Sequence, residues 1–398
     1  MNTAHDAPRS ITPSMQITTD TQRDRRIVVV NGNLDTNTAP ELEAHLDVTG
    51  LQEIVVDFTK CPYISSAGIR TLLMAHRRMA AAGGKFIARN LSPAMRDVFD
   101  MTGISKVITV ARTAREISIE GRELLSSGVC GECFRLDNET VVKLYKDGVD
   151  LSMAELEKRY AQAAFVLGIP TAVSYDVVTC GTRSGIVFEL LNAELFSAVI
   201  RREPQQIDRH AKRLADLATS LHAATGDAEV LPRLKDRIRA YINQLHGVFE
   251  PAQIALLLER LEVIPDADTC VHFDLHSSNI MEQDGELVII DMGDFSIGSN
   301  YFDIGLLYLI YGLPELGICA LATKIDPAQG VQFWNSFAAH YFAGRPANER
   351  AFFDANRYFL ASLRIVCAIN YLPHMRDQFS QQVRELLLPK ILVEAGGT

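Results

Sequence analysis

The chain has 398 residues, 47% of them hydrophobic and 22% charged, with a formal net charge of −10. That length predicts two or three folding units, and that composition predicts true hydrophobic cores, which excludes a largely disordered chain. The acidic balance provides no basic stripe for a phosphate backbone, so nucleic acid is not expected as a partner.

Residues 1–14 are polar, contain two prolines and are expected to form a frayed tail. Residues 15–19 and 27–30 read as short strands, the second a β-branched run. Gly32-Asn-Leu-Asp35 turns the chain, and Thr38 is a candidate N-cap for a helix over 40–46. Residues 54–58 are apolar enough to be a central strand. After Pro62-Tyr-Ile-Ser-Ser-Ala-Gly68 comes a helix, with Ile69, Leu72, Leu73 and His76 at helical spacing. A strand at 85–88 follows, then a helix carrying Met95, Val98, Phe99 and Thr102, stopped by Gly103. Strands alternating with helices predict one compact α/β domain here.

Residues 111–120 are polar and read as a connector. Residues 124–144 resemble two strands around a Gly-containing turn. A helix over about 152–167 ends at Gly168-Ile-Pro170, strand signals continue to Phe188, and beyond residue 195 the pattern is mostly helical. Residues 304–312 are apolar but too short to span a bilayer, and read as a buried helix; no membrane span is expected. No basic flank precedes an apolar block at the N-terminus, so no secretory signal is expected. The seven cysteines are scattered and odd in number, which suits a cytoplasmic, reducing setting. Cys130-Gly-Glu-Cys133 lacks a second ligand pair for zinc and reads as a tight loop.

The densest chemistry lies in His272-Phe-Asp274-Leu-His276-Ser-Ser-Asn279-Ile-Met281, followed ten residues later by Ile289-Ile-Asp291-Met-Gly-Asp294. Phosphoryl transfer needs a carboxylate to orient the attacking hydroxyl, oxygen ligands for Mg2+ and a cation on the phosphates. Asp274 suits the first role, and Asn279 and Asp291 suit the second. This pair of segments resembles the catalytic loop and metal loop of the aminoglycoside phosphotransferase and choline kinase branch of the protein-kinase-like fold. Phe273 departs from that pattern, which has Gly there.

The resemblance implies ATP and Mg2+ as cofactors and extends upstream. Lys143, closing Glu139-Thr-Val-Val-Lys143, matches the phosphate-binding lysine. Gly128 and Gly131 belong to a loop that would cover the phosphates with backbone N–H groups. Glu157 on the next helix could pair with Lys143, with Glu155 as a competitor. Phe188, Glu189 and Leu190 match the hinge whose backbone meets adenine. Asp303 matches an aspartate with a structural role, His272 reads as a loop brace, and a role for His276 at phosphate stays open.

Residues 15–112 resemble the STAS domain of anti-sigma factor antagonists. The resemblance rests on Gly32-Asn-Leu-Asp35, Val55-Val-Asp57, Tyr63-Ile-Ser65-Ser66-Ala67-Gly68 and Phe99-Asp-Met-Thr-Gly103. That family phosphorylates a serine at the start of the helix after the central strand, and the matching position is Ser66. Ser65 stands where the family often has Asp. Either serine also suits a simple helix cap.

The expected fold class is therefore an α/β STAS domain, a mixed sheet with helices, followed by an α+β bilobal protein-kinase-like domain. Expected boundaries are a tail (1–14), STAS-like domain (15–112), linker (113–120), N-lobe (121–192) and mostly helical C-lobe (193–398). The implied function is an ATP- and Mg2+-dependent kinase with a protein partner at the STAS domain and Ser66 as an acceptor in its own or a partner chain. The alternatives are a small-molecule kinase for amino-alcohols or aminoglycosides, and a pseudokinase adaptor. An acidic C-lobe cleft would favour the cationic small molecules.

Overall fold

The structure, a computed structural model, describes residues 15–111, 114–128 and 131–396. The expected tail, Cys130 of the cysteine pair, and the first linker residue, 113, lie outside the described residues. The boundary between two compact units falls after Ala114.

In the first unit β1 (Gln16–Gln22) and β2 (Arg25–Asn31) form an antiparallel hairpin. The strands β3 (Glu53–Lys60), β4 (Lys85–Arg89) and β5 (Thr109–Ala111) then add in parallel, in the order β1-β2-β3-β4-β5. β3 is central, as its continuous apolar run predicts; Ile54, Val55, Val56 and Phe58 are buried. The helices are α1 (Ala39–Ala44), α2 (Ser66–Ala81) and α3 (Pro93–Met101). Leu72, Ala75 and Met79 of α2 and Phe99 of α3 pack with the β2 and β3 side chains in one core.

Helix α1 is shorter than its sequence suggests. Thr38 sits at the N-cap position but makes no capping bond. Its hydroxyl instead accepts from the Asp35 N–H and donates to the Asn33 carbonyl, bracing the preceding turn.

The second unit begins with a six-stranded sheet ordered β6-β10-β11-β9-β8-β7. Its strands are β6 (Arg115–Glu116), β7 (Leu124–Ser127), β8 (Gly131–Arg135), β9 (Thr140–Tyr145), β10 (Ser174–Cys180) and β11 (Arg183–Glu189), with α4 (Leu151–Val166) between β9 and β10. Residues 115–120 are thus not a linker. β6 pairs in parallel with β10, and Ile117 and Ile119 pack on the buried Val142, Leu144, Val178 and Val187. The alternation Ile-Ser-Ile was too short to stand out among polar neighbours.

The rest is mostly helical, with short strands that carry the site. β12 (Glu194–Leu195), β14 (Ile280–Gln283) and β15 (Glu286–Ile289) form one small sheet, and β13 (Cys270–Val271) pairs with β16 (Ser296–Ile297). The helices are α5 (Phe196–Arg202), α6 (Ile207–Ala223), α7 (Leu234–Asn243), α8 (Pro251–Val263), α9 (Tyr301–Leu307), α10 (Ile318–Thr323), α11 (Pro327–Phe342), α12 (Ala347–Tyr371), α13 (Arg376–Gln382) and α14 (Leu388–Gly396). Residues 304–311 are buried as expected, but Tyr308–Gly312 relaxes from α9 into a single π-helical turn. α12 runs through the centre of the core, where Phe359, Leu360, Leu363, Val366 and Cys367 are all buried.

Candidate active site

Lys143 leaves the β-branched strand β9 with its ammonium held by three carboxylate oxygens. Nζ donates to Glu157 Oε1 at 2.8 Å, Glu157 Oε2 at 3.0 Å and Asp291 Oδ1 at 2.9 Å. Glu157 lies on the inward face of α4 and is 3% exposed, whereas Glu155 faces solvent. The competition between the two glutamates is settled by helix phase: only one faces the sheet. The Tyr145 hydroxyl also donates to Glu157 Oε2. Burial alone would pull the Lys143 ammonium down, but Asp291 and Glu157 outweigh it and hold it well above its ordinary value. Burial pushes the Glu157 carboxyl up despite Lys143. Burial also opposes ionisation of Asp291, and Lys143 reverses this, leaving its carboxyl lowered.

The hairpin β14–β15 brings the two loop segments together. Ile280 pairs with Ile289, and the Ile290 N–H donates to the Asn279 carbonyl at 2.9 Å. Asn279 Nδ2 donates to Asp274 twice, to the carbonyl at 3.0 Å and to Oδ2 at 2.8 Å. With its amide nitrogen committed, Asn279 has Oδ1 to present to a cation. Asp291 likewise has Oδ2 beyond its Lys143 bond. Both are hard oxygen donors of the kind that would hold a divalent cation such as Mg2+.

The loop carrying Asp274 is fastened from below by Asp303 on α9. Its carboxylate accepts the N–H groups of His272 at 2.9 Å and Phe273 at 2.6 Å, and lies 3.0 Å from His222 Nε2. His222 Nδ1 in turn meets the Tyr341 hydroxyl at 2.8 Å. His272 braces this loop through its backbone; both of its ring nitrogens are buried with no hydrogen-bond partner among the described residues. His276 Nδ1 accepts from the Ser278 N–H at 3.2 Å, so the ring carries its proton on Nε2, 3.8 Å from Asp274 Oδ1. Burial lowers the His276 pKa.

The nucleotide-side expectations need narrowing. Gly128 and Gly131 flank the turn between β7 and β8, but the Gly128 N–H is spent on the Gly131 carbonyl at 2.8 Å. Gly131 is glycine for space: a Cβ there would run into the Leu144 carbonyl on β9. Phe188 and Glu189 end β11, as a hinge requires. The Glu189 N–H is nonetheless bonded to the Val173 carbonyl at 2.9 Å, and the Leu190 N–H to the Glu139 carbonyl at 2.7 Å. Those two donors are not free for a base. Ser66, in the other unit, is exposed as the first residue of α2. The cap is Ser65, whose hydroxyl accepts from the Gly68 N–H at 3.4 Å.

Sequence reasoning missed two arginines. Arg364 from α12 reaches Asp274 Oδ1 at 3.1 Å and Asp294 Oδ2 at 2.6 Å. Arg237 from α7 reaches Asp294 Oδ1 at 2.6 Å. Burial would raise the Asp294 carboxyl, but Arg364 and Arg237 override it and lower its pKa to about 2. The second acid of Asp291-Met-Gly-Asp294 was visible in the sequence. Its partners, 57 residues upstream and 70 downstream, carried no local signal.

Two family models match the chain: one described as the STAS domain over residues 14–117, and one described as the phosphotransferase enzyme family over residues 123–346. The putative anti-sigma factor antagonist BtrV of Bordetella bronchiseptica is 29% identical over 102 residues, spanning 25% of this chain and 88% of that protein. An anti-sigma-B factor antagonist of Listeria monocytogenes is 26% identical over 94 residues, 23% of this chain and 82% of that one. Among solved structures, a thermostable mutant of aminoglycoside phosphotransferase APH(4)-Ia, in ternary complex with ADP and hygromycin B, aligns with a TM-score of 0.48. It is 13% identical, over 70% of this chain and 98% of that one. A choline/ethanolamine kinase family protein from Mesorhizobium loti gives 0.44 at 17% identity, over 69% and 91%. The phosphotransferase match spans more than half of the residues, behind a STAS domain, and so the chain belongs to the phosphotransferase enzyme family as a kinase-like enzyme with a signalling domain.

Proposed function

We propose that the chain transfers the γ-phosphoryl group of ATP to an alcohol, and that this alcohol is a serine, with Ser66 of its own or a second chain's STAS domain as the first candidate. The observation that carries this reading is the convergence of Lys143, Glu157, Asp291, Asn279 and Asp274 from distant parts of the chain. In the reaction the acceptor oxygen attacks the γ-phosphorus while its proton passes to Asp274. The bond to the β–γ bridging oxygen breaks and ADP leaves. Lys143, aimed by Glu157, steadies the phosphates. Asn279 and Asp291 would hold Mg2+, which supplies charge neutralisation when bound. The glycines at 128 and 131 shape the turn beside the phosphates, and the carbonyls near Phe188, Glu189 and Leu190 border the adenine.

Ser66 suits regulated phosphorylation because it is exposed at the start of a 16-residue helix, where N–H groups and the helix dipole favour an anion. Tyr63 and Met74, nearby in sequence, are 53% and 50% exposed, and such exposed apolar side chains suit a protein partner. Among the described residues no helix is long and apolar enough to cross a membrane, and we place the reaction in the cytoplasm, where ATP is supplied.

The test is incubation of the purified chain with labelled ATP and Mg2+, followed by peptide mapping. Label is expected on the N-terminal unit and absent in Ser66→Ala. Asp274→Ala is expected to reduce transfer by about three orders of magnitude or more. Undiminished label in Ser66→Ala removes that acceptor, and undiminished transfer in Asp274→Ala removes the mechanism.

A further inference from the structure

The two oxygens of Asp274 have different company. Oδ2 is held by Asn279 on the side of the metal loop. Oδ1 lies 3.1 Å from Arg364 Nη2, so a hydroxyl approaching Asp274 meets a carboxylate already held at both oxygens, with a lone pair left on each. Arg364 is not a loose surface side chain. Its other nitrogen is 2.6 Å from Asp294, which Arg237 grips on the far side at the same distance. Its guanidinium lies 5.4 Å from the ring centre of Phe273 and 5.7 Å from that of Tyr371. Beyond it, Tyr371 contacts Tyr241 and is 40% exposed. The wall beside the base is thus guanidinium and phenol, and the carboxylates facing Arg364 are Asp274 and Asp294.

This arrangement has two consequences. A planar guanidinium bridging two carboxylates fixes both in rotation, so Asp274 stays aimed without substrate. The chain Asp274–Arg364–Asp294–Arg237 also sums to zero charge. A bare carboxylate would attract an ammonium group, whereas Asp274 confronts an arriving cation with a guanidinium at one of its two oxygens.

We propose that Arg364 positions Asp274 and sets acceptor specificity, directing the site to hydroxyls without a neighbouring cation, such as a peptide serine, and away from amino-alcohols and aminoglycosides. This rests on the kinase reading above. The experiment uses the full chain with labelled Mg2+-ATP and three acceptors: the full-length Asp274→Ala chain, choline and kanamycin. The expected kcat/KM for the protein acceptor exceeds that for either cation by about hundredfold. Arg364→Met is expected to lower kcat about hundredfold with KM for ATP unchanged, and Arg364→Lys to regain about tenfold of it. If Arg364→Met fails to fold, Arg364→Lys decides by the same split between kcat and KM. Choline or kanamycin used as well as the protein acceptor overturns the specificity. A wild-type kcat in the folded variants, or a KM for ATP that rises in step with the loss, overturns the positioning role. Wild-type protein that transfers to nothing sinks the kinase reading itself, which an active enzyme indifferent to Arg364 does not.

Discussion

Phe273 holds φ at +60°, a left-handed conformation that costs a bulky residue energy and glycine almost none. The strain is offset by what it permits: consecutive N–H groups point at Asp303, and the ring is buried against Phe302 and beneath Arg364. A glycine would supply the turn but not the ring that flanks the guanidinium, which is the physical content of this departure from the family pattern. Asp294 shows the electrostatic side of the same cluster. Its folded pKa of about 2 lies below the ordinary 3.8, so the ionised group contributes at most about 2 kcal/mol of stability. That contribution is complete above pH 3.8 and disappears as the pH falls through 2. Urea denaturation should therefore show Asp294→Asn less stable than wild type at neutral pH, with a gap that narrows steadily between pH 4 and 2. A gap that stays constant across that range would contradict the role of the two arginines.

Among the elements, α9 and α12 decide how the loop carrying Asp274 is held. α9 carries Asp303 beneath the loop, and α12 carries Arg364 above it. They can approach because residue 305 has no side chain: a Cβ there would lie 2.6 Å from Leu360 Cβ and 2.9 Å from the Leu360 carbonyl oxygen. A helix backbone cannot yield as a side chain can. Gly305→Ala should destabilise the second unit by about 1–3 kcal/mol, seen as a lower urea midpoint at unchanged slope, and should lower kcat because Asp303 moves with α9. An alanine variant with wild-type midpoint and rate would show that the two helices slide freely. Helix α4 makes a parallel point. Its phase, set by Ala154, Tyr160 and Ala161 packing inward, turns Glu157 toward Lys143 and Glu155 to solvent.

For the whole molecule, the first unit has its own core around β3, and the helical core of the second is a separate cluster. Two cores predict two calorimetric transitions. Mg2+-ATP at about a hundredfold excess over its Kd should stabilise only the second unit, by roughly 2.7 kcal/mol. A shift of both transitions together would mean that the units unfold as one. Most strands and helices of both units were readable because periods of 2 and 3.6 are local properties of the chain, but residues 124–144, read as two strands, hold three (β7, β8 and β9), because strands this short give little period to separate them. Asp274, Asn279 and Asp291 were readable because their chemistry is packed into two short segments that one hairpin joins. Lys143 was singled out only by the family resemblance, and Glu157 only as one of two candidates until helix phase turned it toward Lys143. The strand at 115–116 escaped notice because two residues carry no period. Arg237 and Arg364 were invisible because helix crossings put them at Asp274 and Asp294, and no local pattern encodes a crossing. Residue types and their spacing, through the resemblance they carry, thus pointed to the phosphotransferase enzyme family to which the chain belongs. The charge beside Asp274 was decided only in three dimensions, where α12 brings Arg364 to Asp274 and Asp294, and α7 brings Arg237 to Asp294.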